Sequence, residues 1–239
     1  MSSKYALNRE NVTLSGRLVA SMRNAILAGD LKGGERLSER AMTEMFGVSR
    51  SLVREAIQVL AAEGLVTIVP HKGPTVTLLD RQSASDLYRV RAALEGLACQ
   101  AFTENADDAQ REELFALFER LRGLLDEDDG DLRVEIKNEF YRCLLTGANN
   151  EVLEQMFTQL NNRIVQLRRF TLSAAGRYRD TLREIGAVID AIRNRDAEAA
   201  RRLAEAHVAA AADVVIRRFA ELDQTRALHD TEDTQARGT

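Results

Sequence analysis

Two arginines and two serines cluster where the sequence predicts the start of a helix. Ser49 can cap that helix, and Arg50, Ser51 and Arg54 follow within its first two turns. Because Arg50 and Arg54 are four residues apart, they project from the same polar face. Guanidinium and hydroxyl groups at a helix N-terminus suit phosphates and base edges, so the pattern indicates DNA binding. The alternative is that both arginines are solvated and paired with Glu55 or Glu63.

A second group of cationic residues extends this candidate surface. Arg40 lies on the preceding predicted helix, and His71, Lys72 and Gly73 lie in a turn between two β-branched runs. A cationic hairpin tip of this kind can enter a minor groove. Acidic neighbours could instead hold Arg40 in a surface ion pair, and His71 and Lys72 could belong to an ordinary polar turn.

Three short helices and a hairpin would position these residues. The helices begin near Leu14, Ser38 and Ser49, and they end at Gly29, Gly47 and Gly64. Apolar and β-branched runs at residues 65–69 and 75–79 then flank a turn that contains both prolines of the chain. Residues 12–78 are therefore predicted to form a winged helix-turn-helix with a small two-stranded wing.

The rest of the chain is predicted to be all-α. Six segments between residues 85 and 222 carry apolar residues at helical spacing, and their short connections favour an antiparallel bundle. Residues 79–84 are interpreted as a polar linker and residues 1–11 as a flexible N-terminus. Apolar periodicity ends at residue 223, which predicts a disordered tail over 223–239. The predicted fold class is mainly α.

Charge and composition restrict the function further. The net charge is −4, but residues 1–78 carry +3 and residues 79–239 carry −7, so only the N-terminal part has the sign that attracts phosphates. No apolar run reaches the roughly 18 residues of a membrane span, and no signal peptide is evident. Cys99 and Cys143 fall in helical patterns and are interpreted as reduced core residues. We expect a cytoplasmic protein with no membrane contact.

The histidines do not indicate catalysis. His71, His207 and His229 lie in the predicted wing, a helix and the predicted tail. No Ser-His-Asp set, phosphate-binding glycine loop or metal cluster is apparent. A Cys143–His207 pair is conceivable, but both residues are better explained as core or pocket residues. The sequence therefore predicts no enzymatic activity and no cofactor.

The N-terminal part resembles the DNA-binding domain of GntR-family regulators. The resemblance rests on residues 34–40, 46–56, 60–66 and 73–76. Family members usually have proline where this chain has Leu52, a change that a first helical turn tolerates. The resemblance implies that Arg40, Ser49, Arg50, Ser51, Arg54, His71, Lys72 and Gly73 contact a pseudo-palindromic DNA operator.

The C-terminal part resembles the FCD ligand domain of the FadR subfamily. The matching residues are 87–95, 147–150, 189–193 and 196–200. This resemblance implies a homodimer in which DNA and a small-molecule effector are handled by separate domains. It also implies a pocket in the middle of the bundle, where many FCD domains hold a divalent metal with an Asp, a His four residues later and two further His.

The metal-binding positions read differently in this chain. They are occupied by Lys137, Tyr141, Ile185 and His207, of which only His207 is an ordinary ligand. Glu139 and Glu184 lie beside two of these positions, but about 100° round their helices from the required face. We therefore predict that the domain holds no metal.

The pocket candidates are Arg91, Lys137, Tyr141 and His207. A lysine inside a bundle is costly unless it is paired or serves a ligand. Lys137 could pair with Glu95 or Glu184 and fill the space left by the metal. It could instead anchor an anionic effector, most simply an organic acid, with hydrogen bonds from Tyr141 and His207. A third interpretation is a domain that has lost its ligand and only dimerises.

Overall fold

The computed structural model describes residues 13–127, 129–172 and 176–236, with side chains throughout except at 131, 161–162, 165–172 and 222–236. The chain divides into two compact units between Leu79 and Asp80. The predicted flexible N-terminus at residues 1–11 and the last three residues of the predicted tail lie outside the described residues.

The N-terminal unit begins with three helices whose starts are set by polar caps. The helices are α1 (Leu14–Ala28), α2 (Glu39–Phe46) and α3 (Arg50–Ala62). The hydroxyl oxygens of Thr13, Ser38 and Ser49 accept hydrogen bonds from backbone N–H groups in the first turns. Gly29 and Gly47 adopt positive φ and end α1 and α2. The predicted caps at Ser38 and Ser49 are confirmed.

The core of this unit fixes which face of α3 reaches the surface. Apolar side chains of α1 and α3 pack together and are buried, among them Met22 and Ile26 of α1 and Val53, Ile57 and Leu60 of α3. Burial of this apolar surface stabilises the helix pair, since each such side chain contributes roughly 1.5–3 kcal/mol. The opposite face of α3 is left exposed.

The wing is an antiparallel hairpin tied to the segment before α2. Strands β1 (Val66–Val69) and β2 (Gly73–Val76) pair with Val66 opposite Val76. A bridge joins Arg36 to Thr75 on the outer side of β2. The N–H of Leu37 donates to the Pro74 carbonyl over 2.8 Å, and the N–H of Val76 donates to the Glu35 carbonyl over 2.9 Å. The predicted two-stranded wing is confirmed, with this additional attachment.

The C-terminal unit contains six helices in the part of the chain that is described. They are α4 (Arg81–Asn105), α5 (Asp108–Gly123), α6 (Gly130–Ala148), α7 (Glu151–Leu172), α8 (Arg177–Arg193) and α9 (Ala197–Ala236). Helix α4 is central: it packs most extensively against α9 and also contacts α6, α7 and α8. No strand occurs among the described residues after Asp80. The predicted fold class, mainly α with an all-α C-terminal bundle, is confirmed.

Two boundaries differ from those predicted. Helix α4 begins at Arg81, because the Asp80 carboxylate accepts a hydrogen bond from the N–H of Ser83, so most of the predicted linker 79–84 is helical. Helix α9 continues to Ala236, through the described part of the predicted disordered tail. That segment lacks an apolar stripe but contains no glycine or proline before residue 238, and its residue types permit a helical backbone. None of the described helices has the combination of length and apolar character that crossing a bilayer requires.

Candidate DNA-binding surface and buried polar cluster

The predicted DNA contacts all belong to the N-terminal unit and lie on α2, α3 and the wing. Arg40, Ser49, Arg50, Ser51, Arg54, His71 and Lys72 are exposed, and Gly73 is half-buried. Ser49 and Ser51 form a hydrogen bond through their hydroxyl oxygens, which are 2.9 Å apart. Within the described residues, Arg50 forms no hydrogen bond or ion pair with another side chain. Its guanidinium is therefore available to a ligand of this surface.

Two of the predicted DNA-contacting arginines are held by carboxylates. Arg54 donates from Nε to Oε1 of Glu39 over 2.5 Å and from Nη2 to Oε2 over 2.9 Å. Arg40 donates from Nε to Glu44 over 2.9 Å, one turn along the same helix. The alternative of a surface ion pair for Arg40 therefore describes this structure. Arg54 therefore forms an ion pair, as the alternative predicted, but its partner is Glu39 rather than Glu55 or Glu63, and Glu63 pairs with Arg23 instead.

The wing tip is a tight turn with a strained residue at its centre. The N–H of Lys72 donates to the Val69 carbonyl over 3.2 Å and closes the turn. His71 has φ +61°, in the left-handed region that favours glycine. His71 and Lys72 are both exposed at this tip. A non-glycine residue in such a conformation costs of order 1–3 kcal/mol, which is often seen where a side chain has a function.

A buried polar cluster lies inside the C-terminal unit. Arg91 donates from Nε to Oε2 of Glu95 over 3.0 Å and from Nη2 to the Tyr141 hydroxyl oxygen over 2.8 Å. The Tyr141 hydroxyl donates to Oε1 of Glu95 over 2.9 Å. Arg91 is 1% exposed and Glu95 4% exposed. Burial would raise the pKa of Glu95, but the charges of Arg91 and Lys137, and that of His207 once acid protonates it, outweigh burial and lower that pKa.

Lys137 and His207 belong to the same cluster. Both are buried, and the charge of Lys137 acts on the pKa values of both Glu95 and His207. The structure thus places Arg91, Lys137, Tyr141 and His207 in one buried cluster, while their binding of an effector stays a prediction. Of the two carboxylates considered as partners of Lys137, Glu95 is hydrogen-bonded to Arg91 and Tyr141. The other, Glu184, is hydrogen-bonded to His207 and Arg177.

Glu184 links α8 to α9 through His207. Its Oε2 lies 2.6 Å from Nδ1 of His207, and Arg177 donates to both of its oxygens over 2.7 and 2.8 Å. Burial would raise the pKa of Glu184, but the hydrogen bonds from His207 and Arg177 outweigh it and lower that pKa to about 2. The Glu184 carboxylate therefore reaches His207, although its position lies about 100° round α8 from that of Ile185. The angle around the helix describes Cβ, whereas three rotatable bonds carry the carboxylate further.

The protonation state of His207 follows from these contacts. Burial lowers the pKa of His207 to about 4, and the Lys137 and Arg91 charges add to this effect against the hydrogen bond to Glu184. His207 is therefore neutral at pH 7. Because a carboxylate only accepts hydrogen bonds, the remaining proton lies on Nδ1. The Nε2 atom is a bare acceptor that is buried and has no hydrogen-bond partner among the described side chains.

The residues at the family's metal-binding positions do not fit a metal. Ile185 is buried in the apolar core and offers no donor atom, and Lys137 is a cation. Nδ1 of His207 is hydrogen-bonded to Glu184, and Glu139 instead pairs with Arg120 over 2.7 Å. The described residues contain no group of three or more His, Cys, Asp or Glu that could hold a metal ion.

The cysteines behave as core residues. Both are buried and free, and burial raises the pKa of Cys99 well above its ordinary value and that of Cys143 to about 11. The Sγ atom of Cys143 donates to the Gln110 carbonyl oxygen over 3.5 Å, and the conceivable Cys143–His207 pair is not formed. Both thiols are therefore held protonated at neutral pH, the form in which a thiol is a poor nucleophile.

Comparisons with known proteins match both units. A family model described as bacterial regulatory proteins, gntR family, matches residues 14–76, and one described as FCD domain matches residues 86–210. The HTH-type transcriptional regulator YdhC of Bacillus subtilis is 26% identical over 187 residues, 78% of this chain and 84% of its own. The regulator BphR of Paraburkholderia xenovorans is 28% identical over 201 residues, 81% and 82% of the two chains.

Solved structures share the fold. Escherichia coli McbR/YncC superposes with a TM-score of 0.70 at 22% identity, covering 90% of this chain and all of that one. A GntR regulator from Rhodococcus sp. RHA1 gives a TM-score of 0.68 at 22% identity, covering 84% and 97% of the two chains. With both of its units matched, the chain belongs to the gntR family of bacterial transcriptional regulators and carries an FCD domain, an architecture consistent with the FadR subfamily.

Proposed function

We propose that this regulator binds a pseudo-palindromic operator as a homodimer, with α3 of each copy in a major groove and the wing in the neighbouring minor groove. The observation that carries the proposal is the exposed N-terminus of α3, where Arg50 is accessible and without a side-chain partner among the described residues. Two copies of such a helix read two half-sites about one helical turn, or a multiple of it, apart.

An apolar surface on the C-terminal unit supports the homodimer. Val90 and Leu97 of α4 are 51% and 39% exposed, and Val152 and Met156 of α7 are 65% and 55% exposed. Because α4 and α7 pack against each other, these side chains lie on neighbouring helices. Val90 and Leu97 are seven residues apart and so share a face of α4, and exposed apolar side chains on one face can form the self-complementary surface of a two-fold interface. Sedimentation should show Leu97→Glu shifted towards monomer, and an unchanged dimer would contradict this assignment.

The C-terminal unit is proposed to bind a small anionic metabolite, an organic acid, at Arg91, Lys137, Tyr141 and His207. Among the described side chains of the cluster, Arg91, Lys137 and Arg177 are cationic, Glu95 and Glu184 are anionic and His207 is neutral. The described part of the cluster thus offers three buried cationic side chains to the carboxylate of an anion, and charge-assisted hydrogen bonds to such groups are strong.

The bare Nε2 atom of His207 supports a ligand that also donates a hydrogen bond. A buried acceptor without a donor costs about 1–3 kcal/mol, and a ligand hydroxyl could remove that cost. Ligand binding would change DNA affinity only if the ligand favours one arrangement of the two DNA-binding units over another.

A thermal-shift screen tests the effector site. Lactate, malate, citrate and acyl-CoAs would be added to the wild type, to Lys137→Met and to Lys32→Met, which removes an exposed lysine of the other unit. We expect at least one acid to raise the Tm of the wild type and of Lys32→Met but not of Lys137→Met. Effector-free Lys137→Met should still bind the operator. If no acid shifts the wild type, the interpretation of a domain that has lost its ligand and only dimerises takes the place of this proposal.

We also propose that the protein is not an enzyme and acts in the bacterial cytoplasm. The matched relatives are named as transcriptional regulators, and such proteins work where the chromosome lies. The raised pKa values of both thiols agree with a protein that does not use them as nucleophiles.

A further inference from the structure

We propose that Glu39 sets the sequence selectivity of DNA binding, by holding Arg54 in one orientation and by opposing non-specific contact with phosphates. This inference rests on the proposed placement of α3 in the major groove. Glu39 is a positioning residue: it acts through Arg54 rather than by contacting a base itself.

The geometry of the contact fixes the Arg54 guanidinium. Both carboxylate oxygens of Glu39 accept from the same guanidinium, at 2.5 and 2.9 Å. Such a two-point contact fixes the plane of the group as well as its position. It uses two of the five N–H donors of Arg54, so both protons on Nη1 and one on Nη2 remain for DNA.

The two residues are carried by different helices of the DNA-binding unit. Glu39 is the first residue of α2, directly after the Ser38 cap, and Arg54 lies in the second turn of α3. The Arg54 side chain remains 67% exposed, so it is restrained and accessible at the same time. A side chain that is already ordered loses less conformational freedom when it binds its target.

The charge of Glu39 has a separate effect. Its carboxylate is ionised at neutral pH, because the hydrogen bonds from Arg54 lower its pKa and the Arg50 charge acts in the same direction. Non-specific DNA binding depends on the number of cations that replace counterions at phosphates. A fixed anion bound to Arg54 on the recognition surface reduces that attraction for every sequence alike.

Glu44 provides a matched control on the same helix. It accepts a single hydrogen bond of 2.9 Å from Arg40. The Arg40 side chain is 83% exposed and that of Glu44 66% exposed. An exposed pair within one helix restrains its arginine weakly. Removal of either carboxylate changes the net charge by the same amount, but only Glu39 fixes a residue of α3.

The experiment compares operator and scrambled duplexes. Sites selected by the wild-type full-length protein from a random-sequence pool would serve as operators, with affinities measured by anisotropy at several salt concentrations. Glu39→Gln should bind scrambled DNA more tightly, and its ratio of operator to scrambled affinity should fall about tenfold. Glu44→Gln should leave that ratio within about twofold. Selection with Glu39→Gln should lose preference at the same base position as selection with Arg54→Ala.

Two further variants make the result decisive. Glu39→Asp keeps the charge but shortens the reach, so selectivity should fall without tighter binding to scrambled DNA. If Glu39→Gln has a lowered Tm, Glu39→Asp serves as the test of the role of Glu39 in its place. Arg50→Ala tests the underlying placement: if it leaves operator affinity unchanged, α3 does not lie in the major groove. If Arg50→Ala weakens binding but both Glu39 variants keep the wild-type ratio, the role of Glu39 is overturned.

Discussion

Nδ1 of His207 lies 2.6 Å from Oε2 of Glu184, across the contact between α9 and α8. The bond ties together two helices of the C-terminal unit and determines which nitrogen of the imidazole carries its proton. The histidine is nevertheless neutral, because burial, with the charges of Lys137 and Arg91, lowers its pKa more than the bond to Glu184 and the charge of Glu95 raise it. The balance makes the unit sensitive to acid.

Stability should fall as pH is lowered from about 6.5 to 4. The unfolded chain protonates His207 near the ordinary pKa of 6.5, whereas the folded protein does so only near 4. Protons therefore favour the unfolded state in this window, by roughly 3 kcal/mol at its lower end. Chemical denaturation at a series of pH values should show a smaller loss for His207→Gln than for the wild type over this window.

The same titration can be followed directly. Imidazole resonances of His207 should move with a midpoint near 4, and a midpoint near 6.5 would show that the residue is not held neutral by burial. Glu184, whose pKa is lowered to about 2, adds a further loss of stability as pH falls below 4.5.

Arg50→Ala should weaken operator binding by about 1–3 kcal/mol and relax discrimination at one base position, since a bidentate arginine–base contact has this magnitude. Arg17→Ala, an exposed arginine of α1, is the control and should bind as the wild type does. Anisotropy titrations with the operator and its single-base variants measure both effects. Unchanged operator affinity in Arg50→Ala would exclude the proposed docking.

Lys72→Ala should weaken binding to every DNA sequence by a similar factor. The residue is exposed at the wing tip, where an ammonium group contacts phosphates rather than reading bases. The slope of log affinity against log salt should become shallower by about one. A loss confined to the operator would mean that Lys72 reads sequence instead.

Gly147→Ala should destabilise the C-terminal unit by about 1–3 kcal/mol. A Cβ atom at this position of α6 would lie 2.4 Å from Cε2 of Phe102, a ring that is completely buried. Gly123→Ala is the control, because a Cβ there meets nothing within 4 Å and alanine favours the helix. Thermal unfolding should show a lower Tm for the first variant and an equal or higher Tm for the second.

Purified protein should contain no stoichiometric zinc, nickel or manganese in its C-terminal unit. Lys137 and Ile185 occupy positions where related domains have ligands, and Nδ1 of His207 is committed to Glu184. Elemental analysis after dialysis measures the content. About one bound metal per chain would contradict the prediction.

Local chemistry made much of the fold predictable. Ser38 and Ser49 identify helix starts because an N-cap needs only the hydroxyl and the next three residues. The wing was predictable because the helical spacing of apolar residues gives way to short β-branched runs between residues 64 and 80. Helix α3 was predictable because its apolar residues recur at helical spacing. The cluster of Arg91, Lys137, Tyr141 and His207 follows from the resemblance to a known domain rather than from the pattern of residues.

Contacts between elements were beyond the reach of the sequence. Arg54 and Glu39 are 15 residues apart, and their contact depends on how α2 crosses α3. The bond between Glu184 and His207 depends on side-chain reach that a helical wheel does not represent. The helical extent of α9 was missed because apolar periodicity reports packing against a core, whereas backbone helicity needs only permissive residues.

The attachment of residues 34–37 to β2 has a geometric consequence for the operator. Since the N–H of Gly34 and Leu37 and the carbonyl of Glu35 are bonded to that strand, the wing cannot swing independently of the turn that leads into α2. The distance between the wing tip and the N-terminus of α3, the part proposed to contact bases, is then fixed. If base pairs are inserted between the half-site positions contacted by α3 and by the wing, no hinge motion can restore both contacts. The regulator should therefore tolerate a changed base better than a changed spacing.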